Sequence, residues 1–280
     1  MRVVNTVNEV RKEVKEWKKQ GLTVGLVPTM GFLHEGHASL IRKAAEQCDR
    51  VVVSDFVNPT QFAPNEDLES YPRDIEHDMK ICEESGADLI FHPGVEEMYC
   101  PDFSTYVNMT GPSDELCGKS RPIHFRGVCT VVSKLFNIAS PDKAYFGQKD
   151  AQQLAVIMRM VRDLNFDIEI VGCPIIRESD GLAKSSRNTY LSPEQRSAAT
   201  VLHRALEEGR KLAESGEKSA AAVIAKITEI IESEPLARID YVNVTSFPEI
   251  IPTEEINGSI LAAVAVYFGN TRLIDNFILG

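Results

Sequence analysis

Val24-Gly25-Leu26-Val27-Pro28, followed at once by Thr29-Met30-Gly31-Phe32-Leu33-His34-Glu35-Gly36-His37, decides the fold class of this chain. An apolar run ends in a glycine-bearing turn, and a helical pattern begins near Ala38. Strand, turn and helix N-terminus together make an anion site, because free backbone N–H groups and the positive end of the helix dipole converge there. His34 and His37 share one face of the first turn. Both can donate hydrogen bonds to a triphosphate and to charge developing at its α-phosphorus, so the stretch predicts nucleotide activation. Zinc is the competing reading of His34-Glu35-Gly36-His37. The metalloprotease helix spaces its histidines four apart; here the spacing is three, and Gly36 stands where a helix former is wanted, which disfavours a metal.

Outward from this stretch, residues 1–175 alternate strand-like and helix-like segments. Short runs rich in Val and Ile at 23–27, 51–57, 88–91, 143–146 and 168–173 read as buried parallel strands. Helical patterns at 38–47, 73–85, 127–139 and 151–164 lie between them. The alternation predicts an α/β fold, a Rossmann-like doubly wound parallel sheet with ligands at the carboxyl ends of its strands. The histidine stretch, Asn58–Gln61 and Gly147–Asp150 all follow strands and are expected in one cleft.

A second region begins near Ile176. Ser192-Pro193-Glu194-Gln195 reads as a helix start, with a serine cap, proline at the first position and glutamine at the third. A long helix is expected to about Ala213, then a second over 219–233, then strands at 239–245, 260–268 and 272–278. The predicted organisation is a Rossmann-like domain over 1–175 and a smaller C-terminal α+β lid domain over 176–280.

The 280 residues are 43% hydrophobic, enough for a sizeable core, and carry a net charge of −11 from 30 basic and 41 acidic side chains. That balance excludes a basic nucleic-acid footprint. It still tolerates an ATP site, where helix dipoles and a few cations set the local field. Met1-Arg2-Val3-Val4-Asn5 opens directly onto a polar helical pattern over 9–19, so no signal peptide is expected. No apolar run is long enough to span a membrane. The cysteines at 48, 82, 100, 117, 129 and 173 form no Cys-x-x-Cys pair, and reduced, buried thiols in a cytoplasmic protein are expected.

Three further clusters carry polar chemistry. In Phe146-Gly147-Gln148-Lys149-Asp150 the glycine lets backbone approach a ligand, Lys149 supplies a point charge for phosphate, and Asp150 reads equally as a helix cap. Gln153 lies one turn further along. Lys184-Ser185-Ser186-Arg187-Asn188 combines hydroxyls with two cations; it reads either as a mobile triphosphate clamp or as a solvated linker. In Phe56-Val57-Asn58-Pro59-Thr60-Gln61-Phe62, Asn58 and Gln61 offer uncharged amides for a small polar acid, or form a simple turn.

Taken in order, these segments resemble the pantoate–β-alanine ligase family along essentially the whole chain. The resemblance rests on Pro28–His37, Phe56–Phe62, Tyr71-Pro72-Arg73, His124–Gly127, Tyr145–Asp150, Ser185–Asn188 and the ending Gly269-Asn270-Thr271-Arg272-Leu273-Ile274-Asp275-Asn276. It implies an adenylate-forming fold related to class I aminoacyl-tRNA synthetases, with His34 and His37 in the first signature and 184–187 in the second. The implied reaction condenses (R)-pantoate with β-alanine to pantothenate, converting ATP to AMP and pyrophosphate through pantoyl adenylate. The resemblance further implies Mg²⁺ carried with ATP and a homodimer.

It also distributes roles. His37, His34 and Lys149 are the implied catalytic groups, facing the pentacovalent phosphorus, the departing pyrophosphate and the phosphate oxygens. Met30, Gly31, Phe32, Leu33, Glu35 and Gly36, with Gly147, Gln148, Asp150, Ile176, Lys184, Ser185, Ser186 and Arg187, complete the implied ATP site. Gln61, Gln153 and Met30 fall in the implied pantoate and β-alanine pocket. Three positions depart from the family pattern: Lys184 replaces a usual Met, Asp55 a usual apolar residue, and Gln148 a frequent Glu. If buried, Asp55 requires a partner or a raised pKa. A nucleotidyltransferase, a truncated aminoacyl-tRNA synthetase and a non-catalytic ATP-binding regulator are the alternatives. The acidic balance disfavours tRNA, and the retained His34, His37 and Lys149 disfavour the regulator.

Overall fold

A computed structural model describes residues 1–64 and 66–280. In chain order the main elements are β1 (Arg2–Val4), α1 (Val7–Lys19), β2 (Val24–Thr29), α2 (Glu35–Gln47), β3 (Arg50–Asp55), α3 (Ile75–Ser85), β4 (Leu89–Phe91), α4 (Val95–Met98), α5 (Cys117–Ser120), α6 (His124–Ala139), β5 (Lys143–Gly147), α7 (Ala151–Asp163) and β6 (Glu169–Cys173). There follow α8 (Pro193–Ala198), α9 (Val201–Glu214), α10 (Ala220–Glu232), β7 (Ala237–Ser246), β8 (Ile260–Phe268) and β9 (Thr271–Leu279). Two compact units result. The first comprises Met1–Met109, Arg121–Gln148 and Val156–Pro174; the second comprises Thr110–Ser120, Lys149–Ala155 and Ile175–Gly280.

The first unit is built on a parallel sheet in the order β1-β4-β3-β2-β5-β6. Its central strands are continuous apolar runs because helices cover both faces. Val24, Leu26, Val27, Val51, Val52, Val53, Leu89 and Ile90 are all buried. Strand order reverses between β3 and β5, with β2 at the switch, the place where open α/β sheets bind ligands beyond their carboxyl ends. The predicted doubly wound sheet is therefore present.

In the second unit β7, β8 and β9 form an antiparallel meander. Strand β8 is apolar on both faces. Ile260, Ala262, Val264, Val266 and Phe268 join the core under α9 and α10. Leu261 and Ala263 join a second cluster with Ala151 and Ala155.

Four local differences from the sequence expectation have physical causes. β1 is an edge strand of three residues, too short to show a pattern. The helix of the histidine stretch begins at Glu35, not Ala38, because Gly36 is accommodated in its first turn. The single helix expected from Ser192 to about Ala213 is broken into α8 and α9. Backbone bonds there tighten to three-residue spacing (Thr200 N to Ser197 O, Leu202 N to Ala199 O), and the Thr200 hydroxyl donates to the Ser197 carbonyl. The cysteines are free, but Cys100 is exposed while the others are buried. No helix among the described residues is long and apolar enough to cross a membrane.

Candidate active site

The turn between β2 and α2 is held by side chains rather than left open. Gly31 and Phe32 adopt φ of +76° and +50°, a left-handed pair that costs a phenylalanine strain. Asp78 on α3 offsets that strain: its carboxylate accepts from Phe32 N at 2.7 Å and from Leu33 N at 2.6 Å. Gly31 N donates to Thr29 Oγ1 at 3.2 Å. A Cβ at Gly31 would stand 2.4 Å from Asp55 Oδ1, so glycine is required on steric as well as conformational grounds.

The two histidines complete the turn. Gly36 N donates to His34 Nδ1 at 3.1 Å, and His34 N donates to His37 Nδ1 at 3.3 Å. Each neutral imidazole thus spends Nδ1 as an acceptor and carries its proton on Nε2, which makes Nε2 a donor. The rings lie 4.2 Å apart, centroid to centroid. Gly36 has no room for a side chain, since a Cβ would sit 2.8 Å from the His34 ring. The N–H groups of residues 31, 32, 33, 34 and 36 therefore already donate within the protein. The sequence expectation of free backbone donors is narrowed: side-chain acceptors take the N–H groups of these five residues, and each imidazole turns Nε2 into a donor. Glu35 points away to pair with Arg42.

Beyond β3, the adjacent strand, Asn58 and Gln61 are buried. Asn58 Oδ1 accepts from Tyr99 Oη at 2.7 Å and from the Thr60 hydroxyl at 2.9 Å. Its amide nitrogen must then donate, and it does so to Gln61 Oε1 at 2.9 Å. That fixes the Gln61 amide with Nε2 directed at Met30 Sδ, 3.1 Å away. Sulfur is a weak acceptor, so Gln61 presents a donor beside the histidine turn. Helix α6 packs hard against this segment: a Cβ at Gly127 would meet the Gln61 Cα at 2.5 Å. Gly147 and Gln148 follow β5 on the other side of β2.

In the second unit Lys149 and Asp150 lie in a 3-10 turn before α7, 3.8 Å apart. The Lys149 carbonyl accepts from Asn276 Nδ2 at 2.9 Å. Gln153 is half-buried on α7. Residues 176–184 form a small hairpin in which Lys184 N donates to Ile176 O at 2.9 Å and Glu178 N to Leu182 O at 2.8 Å. The Lys184 ammonium pairs across it with Glu178 at 3.2 Å. Ser185 then caps a 3-10 turn, Ser186–Tyr190, by accepting from Arg187 N.

Sequence reasoning missed Asp78 entirely. The available signal was its spacing: Asp78, Cys82 and Ser85 fall at i, i+4 and i+7, and all three are buried on one face of α3. Burial, reinforced by the charge of Asp55, raises the Asp78 pKa to about 6, against the pull of the Leu33 and Phe32 N–H groups. Asp55, flagged from sequence, is buried and has the partner it requires: His92 Nδ1 lies 3.4 Å from its carboxylate. The hydrogen bond to Asp55 raises the His92 pKa, with burial opposing.

A parallel sheet whose switch strand ends in a turn offering imidazole donors is a Rossmann-like nucleotide-handling architecture. The pantoate-β-alanine ligase family profile matches residues 2–278. A pantothenate synthetase of Enterococcus faecalis is 62% identical over 277 residues, 99% of this chain and 98% of its own. The crystal structure of pantothenate synthetase from Thermus thermophilus superposes with a TM-score of 0.94 at 46% identity, covering 99% of both chains. That of a pantoate-β-alanine ligase from Francisella tularensis, complexed with β-γ ATP and β-alanine, gives 0.80 at 33% identity over 99% of this chain and 97% of its own. The chain belongs to the pantoate–β-alanine ligase family and is an enzyme of that kind.

Proposed function

We infer that this chain condenses pantoate with β-alanine at the expense of ATP, through a pantoyl adenylate. The observation that carries the reading is the paired imidazole arrangement: His34 and His37, each with Nδ1 occupied as an acceptor, beside the donor amide of Gln61. A pantoate carboxylate oxygen attacks the α-phosphorus, the bond to the β-phosphate oxygen breaks, and pyrophosphate leaves. The β-alanine amine then attacks the acyl carbon, AMP departs, and the amine proton passes to solvent. Adenylation is needed because a carboxylate on its own would have to expel oxide.

The Nε2–H donors of His34 and His37 face the charge that grows on the phosphorus and the leaving pyrophosphate. Gln61 Nε2 exchanges its weak sulfur contact for a pantoate oxygen, with Gln153 as the second amide and Met30 as apolar wall. Lys149 neutralises phosphate oxygens; Gly147, Gln148, Asp150 and Ile176 frame the nucleotide. Ser185, Ser186, Arg187 and Lys184 close over the triphosphate as part of a lid domain spanning 176–280. Mg²⁺ carried with ATP would supply part of the charge neutralisation, beside Lys149, Lys184 and Arg187. A cytoplasmic homodimer belongs to the same reading and rests on the family resemblance.

Product analysis with ATP, Mg²⁺ and pantoate, with and without β-alanine, tests it. AMP, pyrophosphate and pantothenate are expected, together with pantoate-dependent pyrophosphate exchange when β-alanine is absent. ADP and phosphate would mean an acyl phosphate and sink the adenylate route.

A further inference from the structure

Strand β9 carries at its middle a polar pair, Asp275 and Asn276, that the reaction as described leaves without a role. Along a strand, alternate side chains face opposite sides of the sheet. Leu273 and Phe277 lie in the core beneath α9 and α10, so Asp275, between them, sits on that same apolar face. Asn276 pairs in register with Ala263, and it shares the other face with Ile278, which packs against the cluster that includes Ala151 and Ala155 of α7. Both polar residues are buried, at 2% and 4% exposure. A carboxylate and an amide at such positions are costly unless every polar atom finds a partner.

Their partners are the two cationic segments. Asp275 receives a two-pronged contact from Arg177, Nη1 at 2.6 Å and Nη2 at 3.0 Å. The same Nη1 donates to Gly181 O at 3.0 Å, closing the hairpin that delivers Lys184–Arg187. From the opposite face, Asn276 Nδ2 donates to the Lys149 carbonyl at 2.9 Å. Asn276 N in turn donates to Asp275 Oδ1 at 2.8 Å, linking the two anchors through one peptide.

We propose that Asp275 and Asn276 are positioning residues, which hold Lys149 and the 184–187 loop at a fixed spacing so that one triphosphate meets both. The proposal rests on the ATP-binding roles given above to Lys149 and to 184–187. Each acts through what it anchors: Asp275 through the Arg177 hairpin, Asn276 through the Lys149 backbone. Because one strand carries both anchors, a shift of either segment is transmitted to the other by a rigid ladder rather than a flexible loop.

The test is a double-mutant cycle on ATP affinity, measured by calorimetry on the full chain. Asn276→Ala is expected to raise the ATP Kd about tenfold, the size of one lost hydrogen bond to an ordered group, with the thermal midpoint lowered by only a few degrees. In a Lys149→Ala background the same substitution is expected to cost less than about twofold, because the group it positions is gone. An equal loss in both backgrounds, or an unchanged Kd for Asn276→Ala, overturns the proposal. Asp275 alone is a poor truncation target, since the half-buried Arg177 would lose its counter-charge. The neutral pair Asp275→Asn with Arg177→Gln replaces it, and its loss in ATP affinity is expected to vanish in an Arg187→Ala background; additivity there also counts against the claim. Absence of pantoate-dependent pyrophosphate exchange in the wild type would remove the ligase reading while leaving the affinity cycles decisive. A wild type that binds no ATP would overturn both.

Discussion

The histidine turn at 29–37 and the loop at 184–188 are given the same ligand, yet they are held in opposite ways. The turn is pinned by buried acceptors: Asp78 takes two of its N–H groups, and its own imidazoles take two more. At its start the loop carries a partly exposed pair, Lys184 with Glu178, whose side chains are 26% and 38% accessible. A buried anchor, Asp275, reaches it through Arg177. Exposed pairs are worth about 0–1 kcal/mol, whereas an orphaned buried N–H costs about 1–3. The turn is therefore preorganised by buried bonds to its own backbone, whereas the loop is anchored at its base through Arg177 and carries a partly exposed pair at its entry.

The comparison breaks most severely if Asp78 is replaced. Asp78→Ala leaves the Phe32 and Leu33 N–H groups buried without acceptors and relaxes the left-handed pair. A loss of about 3–5 kcal/mol in unfolding free energy is expected, visible in chemical denaturation. A loss under about 1 kcal/mol would show that the turn holds itself.

A gentler variant sharpens the point through pH. The folded pKa of Asp78, about 6, lies above its unfolded value, so the folded state binds this proton more tightly. Its contribution to stability is fully present below about pH 4 and is lost as pH rises through 6, an effect of about 3 kcal/mol. Asp78→Asn cannot ionise. Its stability relative to wild type should rise by up to that amount between pH 4 and 7, on top of a constant offset from the missing second acceptor. Parallel stability curves for the two proteins would contradict this account of the buried carboxylate.

The smallest effect belongs to the loop. Glu178→Gln removes the exposed partner of Lys184 and is expected to change stability by less than about 0.5 kcal/mol, with the ATP KM altered less than about threefold. A larger loss would make the loop as tightly built as the turn and erase the contrast.

The parallel sheet was legible because strands buried on both faces need an apolar run, and β2, β3, β4 and β5 each contain one. The paired histidines, Gln61 and Lys149 were legible as residue types just after strands. What the sequence concealed is what depends on pairing across the fold. Asp78 lies 46 residues from the Phe32 N–H it accepts, and nothing local marks it except helical spacing with Cys82. The start of α2 was misread because a glycine lowers helix propensity, while here the His34 ring fills the space a side chain would need. The break at Thr200 depends on a hydroxyl choosing a backbone carbonyl, a local competition that composition does not show. Asp275 and Asn276 were visible only as part of a familiar ending; their work appears once the two faces of β9 are known.

The most direct test of the central claim, that the turn holds imidazole donors ready for charge that develops in the transition state, is a comparison of His37→Ala with wild type in two assays. Pantoate-dependent pyrophosphate exchange should fall by about 10²–10³, the cost of removing one aimed donor, while the ATP dissociation constant changes by no more than about threefold. Equal losses in exchange and in ATP binding would contradict the account and leave His37 as a ground-state nucleotide contact.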